Sequence, residues 1–280
     1  MPAKPERAAG VTLLMGAGRM GSALLRGWVA RGIKPLAAVE PAPHPDIENF
    51  ARRHRIGLHR KLEDTAHLRV GACVIALKPQ KLRIEARRLA PVAKSGALML
   101  SIAAGTGIST LRRAWGREAL IVRAMPNTPG AIGRGISALY APKNVSANAR
   151  AHAQSLLAGL GETLWVKREG LIDVVTAISG SGPAYVFLFV ESLERAARAE
   201  GLPAESARRL ARATISGAGA LLDADSRDAE ALRRDVTSPA GTTEAALRVL
   251  MDDSALVILI ARAVKAARAR AAQLRNEDEG

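Results

Sequence analysis

Two stretches of this sequence carry residues whose types and spacing suit chemistry. The first is Gly16, Gly18 and Gly21, a complete G-x-G-x-x-G. Gly16 permits a tight turn, Gly18 lets the backbone approach a pyrophosphate, and Gly21 lets a helix pack closely on a strand. The chemistry would be dinucleotide binding, because a helix opening at this loop aims free N–H groups and the positive end of its dipole at phosphate. The same spacing also serves a glycine-rich strand-to-helix turn that holds no ligand. The second stretch is 235–244, DVTSPAGTTE. Ser238, Thr242 and Thr243 bring three hydroxyls together, and Pro239 with Gly241 makes a tight turn that opens a helix. Free N–H groups and hydroxyls then form an anion nest suited to a carboxylate. The alternative is a heavily decorated helix N-terminus with Thr242 as its cap.

The elements that must position these residues follow from periodicity. Residues 11–15 (VTLLM) read as a strand buried on both faces, and Met20, Leu24, Leu25 and Trp28 share one face of the helix that follows. Residues 36–40 (LAAVE) read as a second strand, stopped by Pro41, Pro43 and Pro45. Glu40 ends it at the position where an acidic residue accepts hydrogen bonds from a ribose. A carboxylate there repels a 2′-phosphate and favours NADH over NADPH; Arg19, Arg52, Arg53 and Arg55 lie close enough in sequence to oppose that preference. Glu40 as a solvated strand-end glutamate is the alternative.

Further strands are expected at 73–77, 97–102, 120–123, 136–140 and 163–166, with helices at 46–55, 80–89, 108–115 and 147–159. Alternation of this kind over 11–166 means a doubly wound parallel sheet. Ligands of such sheets sit beyond the C-terminal strand edges, so Lys78 would meet cofactor phosphate, substrate or solvent. Ala103, Ala104 and Gly105 are small enough for a nicotinamide ring to lie against their backbone. Pro126 and Pro129 stiffen a loop that presents Asn127 and Thr128. After residue 166 helical period dominates. Residues 179–183 (SGSGP) are expected to break the chain before a helix over 184–200, followed by helices to about 222, at 229–236, 243–251 and 255–274. An Ala-rich helical domain has too little bulk for a large private core, which predicts a homodimer at least. Residues 1–10 and 275–280 read as charged tails.

Composition narrows the partners. The net charge of +15 invites nucleic acid, but the basic residues are mostly arginines scattered through helices, and three Trp, two Tyr and three Phe leave little to interleave with bases. No specific nucleic-acid partner is expected; a positive surface still favours anionic cofactors and substrates. No apolar run reaches membrane-spanning length, and residues 1–10 have no apolar signal region. The lone Cys73 sits in a buried strand and fits a reducing cytoplasm. The five histidines show no metal spacing, and one cysteine excludes thiolate clusters, so no metal is expected. A dinucleotide half, a carboxylate nest and no strong acid–base pair suggest hydride transfer to a substrate that needs little help. An imine fits, since its protonated form is already electrophilic.

The blocks GAGRMG at 16–21, ALKP at 76–79, SIAAG at 101–105, RAMPNTPG at 123–130, SGSGPAYVF at 179–187 and DVTSPAGTTEAALRVL at 235–250 resemble the pyrroline-5-carboxylate reductase family, in that family's order. The resemblance implies a Rossmann-type α/β sheet (11–166) followed by an all-α dimerisation and substrate domain (167–274). It implies reduction of (S)-1-pyrroline-5-carboxylate to L-proline with NADPH or NADH, the last step of proline biosynthesis. It implies that Gly16, Ala17, Gly18, Arg19, Met20, Gly21, Ala76, Leu77, Lys78, Pro79, Ala103, Ala104 and Gly105 line the cofactor, with Asn127 and Glu169 beside it. It implies that Ser238, Gly241, Thr242 and Thr243 hold the substrate carboxylate, with Ser238 and Thr243 catalytic and Thr243 also near the ring nitrogen. Dimers, or rings of dimers, are the implied assembly. Two departures stand out. Ala240 replaces the first glycine of the family's Ser-Pro-Gly-Gly loop, and Glu40 stands where many members carry Ser or Asn, which opposes the family's NADPH habit. The alternatives are a reductase of another cyclic imine or hydroxy acid, or a non-catalytic dinucleotide-binding protein. The β-hydroxyacid enzymes need a lysine between 171 and 200, and this chain has none there.

Overall fold

Successive side chains of the first strand go to opposite faces of a sheet, and both faces are covered. Leu14 joins a core with Leu24, Leu25, Trp28 and Leu156, while Leu13 and Met15 join a second core with Leu89, Leu111 and Trp115. The two buried indoles are satisfied by backbone: Trp28 Nε1 donates to the Leu156 carbonyl at 2.6 Å and Trp115 Nε1 to the Ala86 carbonyl at 2.8 Å. Each ring contributes its full apolar area to the core without stranding a donor.

The computed structural model describes residues 10–277; the expected tail over 1–9 and residues 278–280 lie outside them. In chain order the elements are β1 (Val11–Met15), α1 (Arg19–Ala30), β2 (Leu36–Val39), α2 (Pro45–His54), β3 (Gly57–His59), β4 (Val70–Ile75), α3 (Pro79–Glu85), α4 (Ala90–Lys94), β5 (Leu98–Ser101), α5 (Ile108–Trp115), β6 (Leu120–Met125), β7 (Gly135–Tyr140), α6 (Ala147–Leu157), β8 (Gly161–Trp165), α7 (Leu171–Val175), α8 (Gly182–Ala199), α9 (Ala204–Ala224), α10 (Ala229–Asp235), α11 (Thr242–Met251) and α12 (Ala255–Glu277). The strands form one sheet in the order β3-β2-β1-β4-β5-β6-β7-β8.

The expectation of an all-parallel sheet is corrected at one place. β7 runs antiparallel to β6, with Arg123 opposite Tyr140 and Met125 opposite Ala138. A parallel return needs a crossover of a dozen or more residues, and only a short 3₁₀ turn, Thr128–Ile132, joins the two. α6 then supplies such a crossover and β8 pairs parallel to β7. The three-residue edge strand β3 was too short to show a period of its own.

The described residues form two compact units: 10–181 with 267–277, and 182–266. In the second, α8 packs on α9, and only Ala207 and Ala211 are fully buried. Its large apolar side chains stand exposed, among them Phe187 (68%), Leu221 and Leu259. Residues 179–183 do not break the helical path as expected. Thr176–Gly180 is π-helical, and the Ser181 N–H donates to the Thr176 carbonyl at 2.8 Å. Pro183 withholds an N–H and the glycines before it, Gly180 and Gly182, loosen the ladder, so the bonds widen by one residue instead of ending. The helical stretch Leu171–Ala199 is long and apolar enough to cross a membrane, against the expectation from the sequence. Arg275–Glu277, expected to begin a charged tail, are the last residues of α12. Arg270 pairs with Glu277 and Arg275 with Asp173, which holds the final turn in the helix.

Candidate active site

Beyond the C-terminal edge of β1 the chain turns at Gly16, whose φ of +93° is left-handed and whose missing Cβ would sit 2.9 Å from the Ala76 carbonyl oxygen. A Cβ on Gly21 would lie 2.0 Å from the Gly16 carbonyl oxygen, so only glycine lets α1 start this close to β1. Gly18 differs: a Cβ there would meet nothing within 4 Å. Gly18 is the N-cap of α1, no side chain caps that end, and no acidic residue occupies the first turn. Open space above Gly18 and uncapped N–H groups fit the pyrophosphate of a dinucleotide.

The other loops expected here converge on the same edge. Leu77 and Ala76 lie against Gly16. Lys78 is the exposed N-cap of α3 and Pro79 its first residue. Glu40 follows β2, and its carboxylate accepts the Ala17 N–H at 2.8 Å and the Ala42 N–H at 3.3 Å. Arg53 and Arg55, which sequence proximity set against Glu40, line a cavity of about 700 Å³ with Lys34, Pro35 and Leu36. Leu36 begins β2, so these arginines stand at the opposite edge of the sheet, because α2 carries its C-terminal turn back to the strand origins. Arg60 reaches this end of β2, where its guanidinium contacts the Pro41 carbonyl and pairs with Glu48, and Arg19, as the first residue of α1, stays beside the glycine loop.

Ala103, Ala104 and Gly105 follow β5, with Gly105 at φ +73°. Asn127 follows β6, and its side-chain carbonyl accepts the Ile136 N–H at 2.9 Å, so that end of the amide is spent on fixing the start of β7. Glu169 Oε1 accepts the Ile108 N–H at 2.8 Å and stands 3.1 Å from Arg123 Nη1. Sequence reasoning missed Arg123, which is 1% exposed. An arginine inside LIVRAM, otherwise apolar, was the available signal.

In the second unit α10 ends at Asp235, which is tied to Arg227 at 2.9 Å. The chain then turns: the Gly241 N–H donates to the Ser238 carbonyl at 3.0 Å, Pro239 takes the second position and Ala240 the third, at φ +58°. This is the pattern of a type II turn, which asks for glycine where Ala240 stands. The N-cap of α11 is Gly241, without a side-chain cap, and Thr242 is the first helical residue. The reading of Thr242 as a cap is therefore corrected; a threonine inside the first turn has its hydroxyl beside the axis, not beneath it. Among the described residues the hydroxyls of Ser238, Thr242 and Thr243 have no hydrogen-bond partner, whereas Thr237 Oγ1 donates to the Arg233 carbonyl. Glu244 Oε2 accepts the Ala240 N–H at 2.7 Å. Among the described residues no cluster of metal-ligating side chains occurs.

Comparison with known proteins agrees with this geometry. Residues 169–274 match a family model described as pyrroline-5-carboxylate reductase dimerisation. That region holds both the apolar stretch Leu171–Ala199 and the exposed side chains of the second unit. A pyrroline-5-carboxylate reductase of Pseudomonas aeruginosa is 38% identical over 262 residues, which are 93% of this chain and 95% of that one. The solved pyrroline-5-carboxylate reductase of Coxiella burnetii superposes with a TM-score of 0.86 at 30% identity, covering 94% of this chain and 97% of that chain. The Plasmodium falciparum pyrroline carboxylate reductase, solved with NADP bound, superposes with a TM-score of 0.80 at 28% identity, covering 96% and 99%. Identity of 38% across nearly the whole of both chains, with the matched dimerisation region and the superposition on a solved relative, places this chain in the pyrroline-5-carboxylate reductase family.

Proposed function

We propose that this chain reduces (S)-1-pyrroline-5-carboxylate to L-proline with NAD(P)H and prefers NADH. The observation that carries the reading is the set of unengaged hydroxyls of Ser238, Thr242 and Thr243 around the uncapped N-terminus of α11. When bound, the reduced dinucleotide supplies the hydride. Residues 16–21 hold its pyrophosphate through backbone N–H groups, Ala76 to Pro79 flank it, and Ala103 to Gly105 lie against the nicotinamide with Asn127 and Glu169 supporting that end. Ser238, Gly241 and Thr242 hold the substrate carboxylate, where helix dipole and hydroxyl donors favour an anion. Thr243 adds a hydroxyl at the ring nitrogen. Glu244 is already bound to the Ala240 N–H, so it is not offered as an acid or base. None is needed, because the iminium forms in water and the residues need only align it.

The NADH preference rests on Glu40. Its carboxylate stands at the glycine loop, Arg53 and Arg55 are at the other edge of the sheet, and Arg60 is paired with Glu48. The enzyme works in the cytoplasm as a dimer or a ring of dimers, without membrane or specific nucleic-acid partner. Sedimentation of the purified protein reads the assembly, and a monomer would overturn it.

Steady-state oxidation of NADH and NADPH with pyrroline-5-carboxylate tests the reading. Turnover is expected with both, and faster with NADH. Thr243→Val is expected to keep dinucleotide affinity and lose turnover by about a hundredfold, the scale of removing one transition-state donor. Absence of turnover in the native protein, or full turnover in the Thr243 variant, would overturn the corresponding assignment.

A further inference from the structure

We infer that Arg275, in the last turn of α12, is a positioning residue for the loop that receives the nicotinamide. The inference rests on the reading that residues 103–105 lie against the cofactor. Four charged side chains connect the two places. Arg275 Nη1 stands 3.2 Å from Asp173 Oδ2; Asp173 Oδ1 stands 3.6 Å from Arg123 Nη2; Arg123 Nη1 stands 3.1 Å from Glu169 Oε1. Glu169 Oε1 in turn accepts the N–H of Ile108, the first residue of α5, whose N-cap Gly107 offers no side chain. The loop between β5 and α5 therefore ends on this chain of charges. Its middle is held by the same helix: Gly105 packs so closely on Leu274 that a Cβ there would lie 3.1 Å from Leu274 Cβ.

The cluster balances two cations against two carboxylates, and Asp173 is 4% exposed with its Oδ1 lacking a hydrogen-bond partner. Without Arg275, Arg123 alone must balance both acids. Its pull toward Asp173 then competes with Glu169, and the anchor on the Ile108 N–H loosens. A buried carboxylate that loses its partner makes this a strong bias.

Arg275→Ala, Arg275→Lys and Arg270→Ala are compared with the native enzyme; Arg270 pairs with Glu277 on an exposed face of the same helix. In Arg275→Ala the dissociation constant and KM for NADH should rise roughly tenfold, about 1.4 kcal/mol of binding. The KM for the imine should stay unchanged. Hydrogen–deuterium exchange at the peptide containing Ile108 should quicken in the dinucleotide-free protein. Arg275→Lys should restore both, and Arg270→Ala should change neither. Native affinity and native Ile108 exchange in Arg275→Ala would overturn the inference, as would a fall in Tm with both unchanged. Equal effects in Arg270→Ala would do the same, by reducing the result to helix charge. If Arg275→Ala does not fold, Arg275→Gln takes its place with the same outcomes. Affinity and exchange are read without the imine, so a native enzyme that fails to turn over the imine defeats the reductase reading separately.

Discussion

The Glu40 carboxylate accepts the Ala17 N–H at 2.8 Å, which couples the end of β2 to the turn between the first two glycines. In the proposed function this fixed negative charge stands where the adenosine ribose of a dinucleotide would lie. The 2′-phosphate of NADPH placed against it is a like-charge contact costing several kcal/mol. Replacing Glu40 by Ala should raise the NADPH to NADH ratio of kcat/KM by at least about tenfold, a conservative share of that cost. It should also lower stability by about 1 kcal/mol, since Ala17 loses its acceptor. Steady-state kinetics with both dinucleotides and a thermal melt check the two halves; an unmoved ratio would remove Glu40 from cofactor selection.

Gly21 and Gly18 should fail in different ways. Gly21→Ala puts a methyl 2.0 Å from the Gly16 carbonyl oxygen, a clash that rotamers cannot relieve, and should cost about 3 kcal/mol or more. Gly18→Ala meets nothing in the folded chain, so its Tm should stay within a degree or so of native, at about 0.5 kcal/mol or less, while dinucleotide affinity falls. Melting curves with and without NADH separate the two.

Ala240 holds φ +58° in the turn before α11. A left-handed alanine costs roughly 1–2 kcal/mol, and glycine returns part of that through its looser unfolded chain. Ala240→Gly should therefore stabilise the protein by about 0.5 kcal/mol. Denaturant unfolding reads the sign, and a loss of stability would show that the methyl has a packing role in the assembled enzyme.

Burial pushes the Cys73 thiol up to about 12. The folded protein keeps the proton where an unfolded thiol, with a pKa of about 8.5, releases it. The thiolate is the reactive form, so a thiol reagent at pH 8 should label one site only after denaturation. The raised value also means that the stability this group supports is complete below the unfolded pKa and declines as pH rises from about 8.5 toward 12. Cys73→Ala should flatten that part of the pH–stability curve. Rapid labelling of the native protein would contradict the burial.

The sequence by itself determined seven of the sheet's eight strands, the glycine turn, the acid at the end of β2 and the hydroxyl-rich turn before α11. Each is a local feature, set by side-chain period, by proline and by glycine, and each was legible from neighbouring residues. Tertiary structure alone decided the rest. The short Thr128–Ile132 link forces β7 antiparallel, although β7 looks like any other buried strand. The direction of α2 carries Arg53 and Arg55 away from Glu40, although they are near it in sequence. Arg275 read as tail charge, yet it neutralises a buried aspartate about a hundred residues earlier, Asp173. Charge pairing depends on where chain segments meet in space, and no local pattern records it.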